Sequence, residues 1–309
     1  MRRPVGRPIG SSGTASTGAP EAGNLAPAAA THTPLASVVA SSPRLTAAAL
    51  AGLAARLDER DRAILRTLAT FRLARGGQLR RLHLPAVDPR SARRTLARLQ
   101  DLQLIARLER QIGGKRAGSD GSLYQLTSAG MRLARPGSPA RSPWSVSTRF
   151  QDHILAVTEL YVGLSEVHRA RLITLSAFIP EAERRFAGPF GQPVTLWADA
   201  FIRLDGVDYF DVFFVEADFD NESAATIRRK AEAYYAYYLT GREQTQHGGV
   251  FPKVIFLAKS PQHAARLIQA IATGPRAGRR LFGVGLYEGA VTLLIGGGPG
   301  PLTSEGVAA

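Results

Sequence analysis

Apolar residues first recur at helical spacing in "LDERDRAILRTLATFRLA", where Leu57, Ile64, Leu65, Leu68 and Phe71 share one face. Asp58, Glu59 and Asp61 suit the N-terminal end of that helix, where the backbone dipole favours negative charge. A short second helix is expected in "GGQLRRLHLP", stopped by Pro85. A third follows in "DPRSARRTLARLQDLQLI", with Asp88 as N-cap and Pro89 as first helical residue. Leu96, Leu99 and Leu102 form its apolar stripe. The pattern then becomes strand-like. Ile105–Ile112 and Leu123–Leu126 read as two strands joined by a Gly-, Lys- and Arg-rich loop, and "LTSAG" opens another helix. Three helices followed by a two-stranded ribbon with a basic tip is the order of a winged helix-turn-helix.

A second set of elements begins at "RFQDHILAVTELYVGL", where Phe150, Ile154, Val157, Tyr161 and Leu164 form a helical stripe. "LITLSAFIP" reads as a strand. A hairpin over "WADAFIRLDGVDYFDVFFVEADFD" comes next, then a helix from Ser223 to about Leu239. "KVIFLA" reads as a buried strand, "SPQHAARLIQAIA" as a helix, and "LFGVGLYEGAVTLLI" as one or two closing strands. This is a mixed α/β order. The expected organisation is a disordered tail over residues 1–50 and a winged helix-turn-helix over 51–134. A Pro- and Ser-rich linker over 135–149, an α/β unit with a central mixed sheet over 150–295 and a flexible tail over 296–309 complete it. No run is apolar and long enough for a membrane span, and the N-terminus lacks the apolar stretch of a secretory signal. A cytoplasmic protein is expected. With no cysteine in the chain, disulfides and thiolate metal sites are excluded.

Charge sharpens the division. The chain of 309 residues carries a net +14. Residues 1–150 hold 24 Lys+Arg and 8 Asp+Glu, or +16, and residues 151–309 hold 15 and 17, or −2. The first part suits a polyanion. On the third helix Arg90, Arg93, Arg94 and Arg98 lie away from the leucines, on the side that a helix-turn-helix turns into the major groove. Lys115 and Arg116 sit where the tip of a wing would touch the phosphate backbone. Double-stranded DNA is the expected partner, bound with a steep dependence on salt.

The near-neutral part places Asp199, Glu216 and Asp218 in an otherwise apolar hairpin, where carboxylates are costly unless paired. Glu216 and Asp218 point to one face. A two-residue turn at Asp205-Gly206 would set Asp199 opposite Val212, too far to join them; a longer connection centred near Val207 would bring it to Glu216. Acids converging there would suit Mg²⁺ or Mn²⁺, with Lys230 on the following helix steadying charge. Solvated strand ends are the plainer reading of the same acids. His153 reads as a packing residue, and the tyrosines 234, 235, 237 and 238 as core and rim. No organic cofactor is expected.

These stretches together resemble the replication-relaxation family. The resemblance runs from about Leu57 to Ala272 and rests most on "WADAFIRL…FFVEADFDNES…RRKAEAYYAYY". It implies a winged helix followed by a domain similar to the PD-(D/E)XK nuclease fold, on plasmids or other mobile elements. Asp199 then stands at the motif's first acid and Glu216 at its second. Asp218 stands where the motif has its lysine, with Lys230 as a relocated substitute. The expected activity is Mg-dependent endonucleolytic cleavage in replication or transfer. The alternative is a non-enzymatic DNA-binding regulator or replication accessory factor with an inactive nuclease-like domain. A third option is binding of a nucleotide or RNA. Candidate partners besides DNA are replication or conjugation proteins and a second copy of the chain.

Overall fold

The computed structural model describes residues 46–108, 121–137, 148–219, 222–300 and 302. The N-terminal part begins with α1 (Ala47–Ala55), capped by Thr46, an element absent from the sequence reading. Six of its nine residues are alanine, and it rests on α5 (Ser128–Ala134). Then come α2 (Glu59–Phe71), β1 (Ala74–Arg75), α3 (Gly76–His83), α4 (Pro89–Asp101), β2 (Ile105–Leu108) and β3 (Leu123–Leu126). The helix starts follow the sequence. Asp58 and Asp61 form a reciprocal capping box on α2, and Asp88 accepts from the Arg90 and Ser91 amides ahead of the Pro89 turn of α4. Ala92, Leu96 and Leu99 are buried on α4, whereas Leu102 is half-buried. The three short strands form a sheet in the order β1-β3-β2, all antiparallel.

The C-terminal part is α/β. It comprises α6 (Thr148–Arg169), β4 (Thr174–Ala187), β5 (Pro193–Asp205), β6 (Phe210–Asp218), α7 (Ala224–Leu239) and α8 (Arg242–Gln246). It continues with β7 (Lys253–Ala258), α9 (Pro261–Ala272), a 3-10 turn (Arg276–Leu281), β8 (Phe282–Leu286) and α10 (Ala290–Ile295). The sheet runs β4-β5-β6-β7-β8, antiparallel through β6 and parallel from β6 to β8. It is mixed, as expected. Val212, Phe214 and Phe256 face α7 and α9; Phe213, Val215 and Ile255 face α6 and α10.

Two assignments made from the sequence change. "AVTLLI" is the helix α10 rather than a closing strand. Its β-branched residues suit a strand, but Ala290 and Leu294 are buried against the α6 side of the sheet, and packing overrides a weak propensity. Strand β4 continues through "EAERRFA", beyond the segment that reads as apolar. There Glu183, Arg184 and Arg185 carry charge, and only Ala182 and Phe186 are buried.

The two parts meet on α6. Phe71, at the end of α2, belongs to the apolar cluster of α6 and packs against Tyr161 and Phe178. Gln78 on α3 donates to the Leu155 carbonyl and to Glu159, each at 3.0 Å. Arg81 bridges Glu159 and Glu166. Helix α6 is thus covered on two sides, which explains why residues outside the single expected stripe, such as Leu155, Thr158 and Leu160, are also buried.

Candidate functional site

The strand connection decides whether the acids meet. Asp205 pairs with Phe210, so Gly206–Tyr209 form a four-residue connection, the longer kind that convergence requires. At Gly206 the chain passes close beneath the exposed Tyr209 ring, 2.3 Å from where a Cβ would stand. The ladder ends at Ala200–Val215, which puts Asp199 level with Glu216. Alternation of faces also breaks at Asp199. Ala198 packs on the α7–α9 side and Ala200 on the α6 side. Across β4, the flanking pairs Pro180–Ala200 and Ala182–Ala198 bracket Glu181, whose φ is +49°. Residues two apart normally share a face; here they do not, and Asp199, just past the end of the β5–β6 ladder, reaches both β6 and α6.

Asp199 accepts a hydrogen bond from the Ala217 amide at 2.7 Å, and its other oxygen meets His153 Nε2 of α6 at 3.0 Å. Glu216, only 1% exposed, accepts from Lys230 Nζ at 2.8 Å and from the Tyr234 hydroxyl at 2.5 Å. Lys230 also bridges to Glu222 at 2.8 Å. Burial pushes the Glu216 carboxyl up to about 7; Lys230 opposes the rise, and the Asp199 charge adds to it. Burial would likewise raise Asp199, but the His153 and Lys230 charges outweigh it and hold this carboxyl below its usual range. For Lys230 burial acts downward, and the Glu216, Asp199 and Glu222 charges overcome it, keeping the ammonium above its ordinary value.

Asp199, Glu216 and Lys230 therefore come together. Asp218 has a different partner: its carboxylate, buried, meets His263 Nε2 of α9 at 3.2 Å. Among the described residues no group of three His, Cys, Asp or Glu is arranged to hold a metal ion. Three partners in the cluster escape sequence reasoning. His153 and Glu222 carry no signal in the spacing. Tyr234 does, since it follows Lys230 by four positions and so shares its helix face.

On α4, Arg90, Arg93 and Arg94 are exposed. Arg98 is committed elsewhere. Its guanidinium binds both oxygens of the fully buried Asp61, at 2.5 and 2.6 Å, and ties α4 to the start of α2. Lys115 and Arg116 lie outside the described residues. No helix among the described residues is long and apolar enough to cross a membrane.

Neither a curated protein nor a solved structure matches the chain. A family model described as replication-relaxation matches residues 65–254, which take in α4 as well as the Asp199–Glu216–Lys230 cluster. That span exceeds half of the sequence, and the chain belongs to the replication-relaxation family.

Proposed function

We propose that this is a DNA-binding protein of a plasmid or other mobile element, acting in replication or transfer, with a metal-dependent phosphodiester-cleaving site in its C-terminal part. The N-terminal elements follow the order of a winged helix-turn-helix, with α4 as the helix that enters the major groove and Arg90, Arg93 and Arg94 as its contacts. Arg98 serves as a brace for that helix.

One observation carries the catalytic half of the reading. Two carboxylates and a lysine, distant in sequence, converge at one end of a sheet, and burial, with the Asp199 charge adding to it, raises the Glu216 carboxyl. That donor set fits a hard divalent cation. Asp199 and Glu216 would hold Mg²⁺ or Mn²⁺, with water completing the shell, because such ions take few carboxylates. A bound ion would polarise a phosphodiester and lower the pKa of a water. Lys230 would place positive charge beside the phosphate, His153 would orient Asp199, and Tyr234 would orient Glu216.

A second reading has its own support. Asp218 is turned to His263, and both Asp199 and Glu216 are already engaged by protein donors. On that reading the α/β part docks a partner or a second copy, and the protein is a non-enzymatic regulator or replication accessory factor.

Purified full-length protein with supercoiled plasmid and Mg²⁺ or Mn²⁺ separates the two. The enzyme reading expects nicking that falls at least about 1,000-fold in Glu216→Gln, with DNA binding retained. Intact plasmid under both metals, with DNA still bound, overturns it and leaves the regulator.

A further inference from the structure

The second half of the chain is nearly neutral as a whole, yet residues 244–287 contain no Asp or Glu and six basic residues: Lys253, Lys259, Arg266, Arg276, Arg279 and Arg280. Three of these lie in the 3-10 turn, which packs on α7. The tyrosines of α7 divide by helical periodicity. Tyr234 and Tyr237 are buried, whereas Tyr235 and Tyr238 are half-buried on the outer face. Their rings lie nearly parallel, 16° apart, with centroids at 6.2 Å.

The surroundings fix this pair. Phe251 meets Tyr238 edge-on at 5.4 Å. Arg280 donates to the Tyr238 hydroxyl at 3.3 Å. Gly278 lies so close to Tyr235 that a Cβ would come within 2.8 Å of its ring. Arg279 donates to the Ala272 carbonyl, which anchors the turn, and Arg276 and Arg280 remain exposed. The nearest acid on this face of α7, Glu232, is exposed and faces Arg228 at 3.8 Å.

We propose that this face binds single-stranded DNA, with bases stacking on Tyr235 and Tyr238 and phosphates meeting Arg276 and Arg280. Pre-set aromatic rings beside arginines suit unpaired bases, whose faces a duplex keeps covered. The choice of DNA rests on the reading above; the surface itself requires neither the nuclease site nor α4. Together the two surfaces would let one molecule hold duplex through α4 and an opened strand through α7.

Fluorescence anisotropy of full-length protein tests this, using a 12-nucleotide DNA strand, the same sequence as RNA, and the duplex. The Arg276→Ala/Arg280→Ala double variant is expected to bind the single strand at least 10-fold more weakly. Its plot of log affinity against log salt should flatten by about 1.4, for two lost phosphate contacts. Tyr238→Leu should lose roughly 5-fold or more, and Tyr238→Phe should keep most of the affinity. The Arg90→Ala/Arg93→Ala/Arg94→Ala variant should bind the single strand normally. If that triple variant loses duplex only, both readings stand; if duplex binding never depended on it, the α4 reading fails while this one survives. Absent single-strand binding, or binding indifferent to Arg276 and Arg280, overturns the proposal. Tighter binding of RNA than of DNA overturns the assignment to DNA.

Discussion

Buried charge in this protein sits where single residues tie distant segments. Glu243, 1% exposed, binds Arg184 at 2.5 Å, the Tyr237 hydroxyl at 2.7 Å and His247 Nε2 at 3.0 Å. The Arg184 guanidinium also lies over the rings of Phe201 and Phe214. Glu243→Ala leaves an arginine packed among rings without its counter-charge. The expected cost is about 3–5 kcal/mol, read as a lower urea midpoint with little change in slope. His83 offers a pH test. Burial, with the Arg66 and Arg169 charges, pulls its imidazole down to about 4, while Thr67 meets Nε2 at 2.8 Å. In the unfolded chain the same group titrates near 6.5. The unfolded state therefore binds the proton first, and stability present above about pH 6.5 falls as pH drops towards 4. Melting temperatures between pH 7 and pH 4.5 should fall less steeply in His83→Gln than in the parent. Equal slopes would remove His83 as the cause.

At the scale of elements, the sequence was most legible where a cap or a stripe spoke for itself. Asp88-Pro89 marks the start of α4, and the near-continuous apolar run from Val212 to Val215 marks β6. It was least legible where packing decides. The run in α10 carries strand-forming residues but lies on α6, and α1 has no amphipathic pattern from which to read it. The hairpin was legible only in part. Its sequence left two turn lengths open, and the four-residue connection selects the one that levels Asp199 with Glu216. The break of alternation at Asp199, which turns it towards His153, depends on the opposing backbone at Glu181 and leaves no trace in the spacing. In the sequence Arg98 is one of a row of like arginines, and nothing local says that Asp61 of another helix claims it. The helical state of α10 has a direct consequence. Leu294 is fully buried between α10 and the sheet, so Leu294→Ala should cost about 2–5 kcal/mol. A value below 1 kcal/mol in denaturant titration would mean that α10 does not dock as described.

Across the whole molecule, the seam on α6 determines whether the basic part and the acid-bearing part behave as one body. Units joined by small polar contacts generally move independently, and large apolar contact suppresses that motion. Here Phe71 sits within the α6 cluster, Leu73 packs with Ile154 and Leu155, and Arg81 and Gln78 add polar ties around them. Arg72 pairs with Glu181, so a second contact links the end of α2 to β4 beside Asp199. Such a seam should make unfolding of the native chain a single calorimetric transition. Phe71→Ala removes the apolar centre at about 3–5 kcal/mol, and Arg81→Ala then leaves Glu159 and Glu166 without their shared partner. The double variant is expected to unfold in two resolved steps, with each part still folded below its own midpoint. If the parent already shows two steps, or the double variant still melts in one, the α6 seam is not what couples the two parts. With the seam intact, α4 and the Asp199–Glu216–Lys230 cluster keep a fixed mutual position, and a DNA held by one would meet the other at a constant offset.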